Sequence, residues 1–323
     1  MGETMQAIEI RGDQSLALTS LDRPEPATGE VRIAIKAAGL NRADLVQRAG
    51  RYPPPPGAPQ TMGLECSGII EAVGTGVTGW AVGDKVCGLL AGGGYAEAVC
   101  VDQGSLLPIP EGMSFTDAAG LPEALITVWA NMYDRAGLKK GESVLIHGGT
   151  SGIGTTAIQM ARVYRAPNIY ATQGSDEKCA LASSLGATRA INYKTEDFVE
   201  VVSATGVDVI LGMVGGDYIQ RNISACNPDG RIINIAYMQG FVAEVNFAPV
   251  LMKRLSLMAT TLRARPAPEK ARLRAGMQAE FWSHVESGAI KPIIDSVYPL
   301  AEADAAQARM TSMQHSGKII LEV

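Results

Sequence analysis

Chemistry in this chain is most concentrated in the run Ser143-Val144-Leu145-Ile146-His147-Gly148-Gly149-Thr150-Ser151-Gly152-Ile153-Gly154. An apolar strand ends in glycines that allow a tight turn and close approach of the backbone to a ligand. A helix then begins, with unpaired N–H groups and the positive end of its dipole aimed at whatever occupies the turn. Such a cradle suits a pyrophosphate. Glycines also collect in ordinary strand-to-helix turns, but the position after a strand, before an amphipathic helix and inside a βαβ unit points to a dinucleotide. No Gly-Lys-Ser/Thr completes a triphosphate loop, which argues against ATP chemistry.

About 20 residues further on, an acidic side chain at the end of the second strand would hold a ribose diol. None stands there. The strand Asn168-Ile169-Tyr170-Ala171-Thr172 runs into Gln173-Gly174-Ser175-Asp176-Glu177-Lys178. A 2′-phosphate, carrying roughly −1.5 to −2 charges, is well matched by a serine hydroxyl, a helix-start N–H and an ammonium. This favours NADPH over NADH, although Asp176 and Glu177 oppose it and Lys178 also fits a solvated helix charge paired with a neighbouring acid.

Around these residues the chain changes texture. The first third reads as short β-rich pieces, Gln6 to Ile10, Glu30 to Ala38, Cys66 to Val73, Lys85 to Leu89 and Tyr95 to Val101. Between two of them, Arg51 to Gln60 carries Pro53, Pro54, Pro55, Pro56 and Pro59, a stiff extended loop holding Tyr52. From about Leu125 strands alternate with helical stretches, the rhythm of a parallel sheet covered on both faces. Helices are expected near Gly152 to Arg165, Glu177 to Leu185 and Lys270 to Ser287. Strands are expected at Ser143 to Ile146, Asn168 to Thr172, Val207 to Leu211, Arg231 to Ile235, Ile293 to Tyr298 and Lys318 to Val323. The fold class is α/β, with the C-terminal end rejoining the first lobe.

With 323 residues, 46% hydrophobic and 19% charged, the chain has apolar mass for two cores and is neither disordered nor fibrous. Lys and Arg number 28 against 33 Asp and Glu, so no basic field exists for a nucleic acid or an anionic membrane. The five cysteines, Cys66, Cys87, Cys100, Cys179 and Cys226, are scattered without a CxxC pair, as in a reduced cytoplasmic protein. The N-terminal stretch to Arg11 has no unbroken apolar run and does not read as a secretory signal.

Several stretches together resemble the zinc-independent quinone oxidoreductases of the medium-chain dehydrogenase/reductase superfamily, the zeta-crystallin-like group, and within it the p53-inducible type. They are Gly39-Leu40-Asn41-Arg42-Ala43-Asp44-Leu45, Arg51-Tyr52-Pro53-Pro54-Pro55-Pro56-Gly57, Gly63-Leu64-Glu65-Cys66-Ser67-Gly68, Gly83-Asp84-Lys85-Val86, Gly92-Gly93-Gly94-Tyr95-Ala96-Glu97, Leu121-Pro122-Glu123-Ala124, the glycine loop, Ile191-Asn192-Tyr193 and Gly317-Lys318-Ile319. The resemblance implies a GroES-like β-rich catalytic domain (residues 1–124 and 266–323), a doubly wound Rossmann domain (125–265) and a cleft where nicotinamide meets substrate. It also implies a homodimer built through the Rossmann sheets. By the same resemblance Thr150, Ser151, Gly152, Ile153 and Gly154 hold the pyrophosphate, and Gly174, Ser175, Lys178 and Tyr193 the 2′-phosphate. Lys318 joins the cofactor-binding set, and Asn41, Tyr52 and Thr127 lie near the nicotinamide on the catalytic side.

Zinc-bearing relatives use a Cys, a His-Glu pair and a further Cys or acid. Here the Gly-His-Glu pattern reads Gly63-Leu64-Glu65, no cysteine quartet follows Gly83-Asp84-Lys85-Val86, and leucine cannot ligate zinc. His147, His284 and His315 show no ligand spacing, and no metal site is expected. Without a Lewis acid the acceptor must take a hydride readily, as quinones and activated enones do. Tyr52 and Asn41 are then positioning or oxyanion-stabilising groups, unless Tyr52 merely packs on the prolines and Asn41 caps a helix starting near Arg42. Glu65 suits an ion pair or a packing role, and Cys66 a small core residue. A short-chain dehydrogenase would need Tyr-x-x-x-Lys, and no tyrosine here has a lysine four residues later. An NADPH-dependent enoyl or alkenal reductase and a non-catalytic NADPH-binding protein remain the alternatives.

Overall fold

The computed structural model describes residues 2–323. The chain divides into two compact units, the first made of Met1–Ile126, Leu262–Glu286 and Lys291–Val323, the second of Thr127–Thr261 and Ser287–Ile290.

In the first unit β1 (Thr4–Ile10) and β2 (Leu16–Asp22) form an antiparallel hairpin. The long strand β3 (Glu30–Gly39) leads into helix α1 (Arg42–Arg48) and is followed by β4 (Glu65–Val73), β5 (Lys85–Leu89), β6 (Ala98–Asp102) and β7 (Leu106–Pro108). β3 pairs antiparallel with β4 along one edge, while β6 takes Glu30 to Ala34. The sixth strand begins at Ala98 and not at Tyr95, because Gly92 to Tyr95 run back along Thr61 to Gly63 through backbone hydrogen bonds. Alternating burial along β3 turns Val31, Ile33 and Ile35 into a core with Ile70, Val86, Val99 and Leu106. Short helix α2 (Phe115–Ala118) precedes α3 (Pro122–Val128), along which the chain passes from one unit to the other.

The second unit opens with the π-helical turn Trp129–Arg135 and holds six parallel strands: β8 (Val144–His147), β9 (Ile169–Gln173), β10 (Arg189–Asn192), β11 (Val207–Gly212), β12 (Cys226–Asn234) and β13 (Ser256–Ala259). Between them lie α4 (Gly152–Val163), α5 (Asp176–Leu185), α6 (Phe198–Val202), α7 (Tyr218–Ala225) and α8 (Ala248–Lys253). The spatial order β10-β9-β8-β11-β12-β13 reverses direction beside β8, the doubly wound Rossmann arrangement. β8 is buried along its whole length, as a central parallel strand covered on both faces must be. Ligands in such sheets sit beyond the strand C-termini at the reversal, and that is where the glycine loop lies.

The chain then returns to the first unit through α9 (Ala267–Glu286), β14 (Ile294–Pro299), α10 (Ala303–Thr311) and β15 (Lys318–Glu322). Leu273, Met277, Phe281 and Val285 form the buried stripe of α9 at helical spacing. β15 pairs antiparallel with the far end of β3, at Ala37 to Gly39, and parallel with β14. This pairing carries Lys318, the first residue of β15, to the segment that follows β3. No helix among the described residues is long and apolar enough to cross a membrane.

Candidate functional site

In the second unit the glycine loop forms as its spacing requires. Gly148 turns at φ +64°, a conformation that L side chains resist, and a Cβ there would press on Met213 Sδ from the loop after β11. Gly154 lies so close to the Gly148 carbonyl and to Gly149 that a Cβ would collide with both. Ser151 caps α4, its hydroxyl accepting from Gly154 N–H at 3.0 Å. Gly152 and Ile153 sit in the first turn, N-terminal to any intrahelical acceptor, so their N–H groups are the natural donors for a phosphate oxygen. Thr150 is fixed from the side: its N–H and hydroxyl both donate to Gln173 Oε1, at 3.1 and 3.2 Å.

Gln173 ends β9, and its buried Nε2 has no hydrogen-bond partner. Immediately after it, Gly174 has the Tyr193 phenol where a Cβ would stand. Ser175 caps α5 by accepting from Lys178 N–H at 3.3 Å. Asp176 accepts from Asn192 Nδ2 at 2.7 Å, which turns that carboxylate toward the end of β10. Gly174, Ser175, Lys178 and Tyr193 are thus brought together, half-buried or exposed, beside Thr150 to Gly154, with no acid at the end of β9. Thr127 also belongs to this unit; it is buried in α3 and its carbonyl accepts from Asn131 Nδ2 at 2.7 Å. His147 closes β8 from below. Nε2 donates to Asn222 Oδ1 at 2.7 Å, Nδ1 accepts from the Thr172 hydroxyl at 3.0 Å, and burial pulls its pKa down to about 4. It is a neutral structural residue.

The first unit assembles Asn41, Tyr52 and Lys318 by other means. Asn41 takes the N-cap position of α1, where its N–H donates to Asp44 Oδ2 at 2.8 Å. Its side-chain amide donates to Glu65 Oε1 at 2.9 Å and accepts from Lys318 Nζ at 2.9 Å. The Lys318 ammonium also donates to Leu40 O at 2.9 Å and forms a buried ion pair with Glu65. An ammonium has three hydrogens, and Leu40, Asn41 and Glu65 each accept from it. Glu65 Oε2 accepts the Glu123 N–H at 2.9 Å, which completes that carboxylate's surroundings. Below Asn41, Asp44 accepts from Tyr95 OH at 3.0 Å and Gly63 N–H at 3.3 Å; burial nonetheless raises its pKa to about 6.

Tyr52 lies against Arg263, whose guanidinium carbon is 5.4 Å from the ring centroid. Arg263 Nη1 donates to Tyr52 O at 3.1 Å and Nε to Ala91 O at 2.7 Å, tying two loops together. Burial raises the Tyr52 phenol above its usual range, keeping a proton on the oxygen.

The ligand-type side chains do not converge on a metal. Among the described residues no three His, Cys, Asp or Glu could hold one. Leu64 is buried and cannot ligate a metal, Glu65 is committed to Lys318 and Asn41, and Cys66 is a fully buried residue of the β-rich core. The nicotinamide site is the opposite case, since its glycines, caps and first-turn amides fit a dinucleotide.

Arg263 and Lys270 are buried polar groups of the first unit that the motifs do not reveal. For Lys270 a signal exists: it lies three residues before Leu273, on the apolar stripe of α9, where a lysine is out of place.

Comparison with known proteins agrees with this geometry. Residues 152–275 match the family described as zinc-binding dehydrogenase, and residues 27–111 the alcohol dehydrogenase GroES-like domain. The chain is 31% identical to a quinone oxidoreductase of Rattus norvegicus, with 98% of this chain and 95% of that protein covered. It is 33% identical to the synaptic vesicle membrane protein VAT-1 homolog of Danio rerio over 93% of its own length, and spans 65% of that longer protein. Among solved structures, the quinone oxidoreductase from Thermus thermophilus, known also in complex with NADPH, gives a TM-score of 0.85 at 28% identity. That alignment covers 99% of this chain and 100% of the other.

Proposed function

This chain belongs to the medium-chain dehydrogenase/reductase superfamily as a quinone-oxidoreductase-like oxidoreductase, and from that premise we propose that it reduces quinones with NADPH and without a metal. The observation that carries the reading is the pairing of the β8–α4 glycine loop with a β9 end that has Gly174, Ser175, Lys178 and Tyr193 and no acid.

In this reading the loop from Thr150 to Gly154 holds the pyrophosphate through the first-turn amides of Gly152 and Ile153, and Ser175, Lys178 and Tyr193 bind the 2′-phosphate. When bound, the reduced nicotinamide supplies a hydride. The Tyr52 hydroxyl, kept protonated, donates a hydrogen bond to the acceptor oxygen as charge develops there. Asn41 positions the reactants, and Lys318 and Glu65 act through it as positioning residues by holding its amide in one orientation. Solvent supplies the proton that completes the hydroquinone, so one NADPH and one proton are consumed per quinone.

The reading includes a homodimer formed through β13, the edge strand of the Rossmann sheet. Phe247, Leu251 and Met252 are exposed on and beside α8, the helix that leads into this strand, an apolar surface that a second copy would cover, and sedimentation equilibrium reads the mass directly. The five free cysteines suit a cytoplasmic location.

The functional test is NADPH oxidation with 1,2-naphthoquinone against a series of 2-alkenals, together with metal analysis of the purified protein. Quinone turnover in metal-free protein is expected. Turnover confined to alkenals, or stoichiometric zinc needed for activity, contradicts the reading.

A further inference from the structure

Cations in the first unit sort by burial and by partner. Lys318 is buried and paired with Glu65, and the largely buried Arg23 and Arg32 share Glu71. On the segment around α9, Arg265 and Arg272 share Glu269 near the surface. Two neighbours on that segment break the pattern, since they are more deeply buried and have no carboxylate partner.

Arg263 is 4% exposed and Lys270 7%. Arg263 spends Nε and Nη1 on the carbonyls of Ala91 and Tyr52, while Nη2 is enclosed without a hydrogen-bond partner. Lys270 stands in the opening turn of α9, where the helix dipole already disfavours a positive charge. No hydrogen bond or ion pair reaches its ammonium among the described residues. Burial lowers both side chains from their usual ranges; on Lys270 Glu123 opposes this and Arg263 adds to it. On Arg263 the charges of Asp44, Tyr52 and Glu123 oppose the effect of burial. An enclosed guanidinium donor without an acceptor and a buried ammonium without a hydrogen bond are costly to desolvate, and an anion that accepts from both removes the cost.

We propose that Arg263 and Lys270 form an anion subsite beside Tyr52 that takes a carboxylate-class substituent of the electron acceptor. The subsite narrows the acceptor to quinones or enones carrying a negatively charged group a short distance from the reducible carbonyl. Its role in turnover rests on the quinone reductase reading, whereas the binding itself does not. Anion binding also relieves the repulsion between the two side chains, so it couples acceptor charge to the loop that Arg263 ties at Tyr52.

The test uses the full chain and two redox-inert probes, naphthalene-2-sulfonate and its neutral isostere naphthalene-2-sulfonamide, in titration calorimetry. Wild type is expected to bind the sulfonate at least about tenfold more tightly, with the gap closing in Lys270→Gln and in Arg263→Gln. Arg263→Gln also cuts the tie between two loops, so Lys270→Gln, which breaks no hydrogen bond, decides the matter if the arginine variant misfolds. Equal affinities in wild type, no binding of either probe, or an undiminished gap in Lys270→Gln overturns the subsite. In parallel, 1,4-naphthoquinone and its 2-sulfonate are compared as acceptors. The kcat/KM of the sulfonate relative to the parent quinone is expected to fall about tenfold in Lys270→Gln. Sulfonate binding without turnover of either quinone supports the subsite and counts against the reductase reading, which keeps the two failures apart.

Discussion

At the strand ends of the Rossmann unit the fixing contacts are short in sequence: Ser151 to Gly154 and Ser175 to Lys178 span three residues each, and Thr150 to Gln173 spans 23. Around Asn41 in the β-rich unit they are long, with Lys318 reaching Glu65 across 253 residues and Asn41 across 277. The first place is built mainly from backbone amides and glycines, the second from buried charges. Backbone amides are present in any chain that makes the turn, so that place fails by steric intrusion. Buried charges are expensive unless every partner is in place, so the other fails by loss of one partner.

The largest effect is therefore expected at Glu65. Replacing it by Leu strands the Lys318 ammonium, and urea unfolding should show a loss of about 3–5 kcal/mol, with Glu65→Leu/Lys318→Met recovering much of it. If the double variant is no better than the single one, the ion pair is not what fixes Asn41.

A somewhat smaller effect belongs to Asp44, whose pKa is raised from 3.8 to about 6. Because the folded-state value lies above the unfolded one, its contribution is fully present below pH 3.8 and is lost as pH rises through about 6. Measured as the difference between wild type and Asp44→Asn, stability should fall by an amount on the order of 3 kcal/mol between those limits. Carboxylates held low by arginines, such as Glu71 and Asp295, contribute with the opposite sign and cancel in that difference. A pH-independent difference would show that Asp44 titrates in the folded protein as it does in the unfolded chain.

The smallest of the three lies in the glycine loop. Gly154→Val forces a side chain against the Gly148 carbonyl and should cost about 1–3 kcal/mol in stability while removing nucleotide binding altogether. Loss of binding at small cost in stability is the mark of the backbone-built place. A variant that still bound nucleotide would place the ligand elsewhere.

The same contrast explains what is legible in the sequence. The β8–α4 turn, the Ser175 cap and the strand alternation are local, so residue type and spacing announce them. An ion-pair role for Glu65 can be anticipated from its type, but its partner depends on β15 pairing with β3, which no local pattern encodes. β2 escapes the pattern because Leu16 to Asp22 is partly exposed on both faces and shows little apolar alternation. Arg263 and Lys270 are hidden inside a stretch that reads as an ordinary charged helix and its approach.

The most direct test of the central claim is a fluorescence titration of wild type and Lys178→Ala with NADPH and NADH. Wild type should bind NADPH at least about tenfold more tightly than NADH, and Lys178→Ala should lose about tenfold for NADPH with NADH unchanged. Equal affinities in wild type, or a preference for NADPH that survives intact in Lys178→Ala, would contradict the assignment of the β9 end as a 2′-phosphate site.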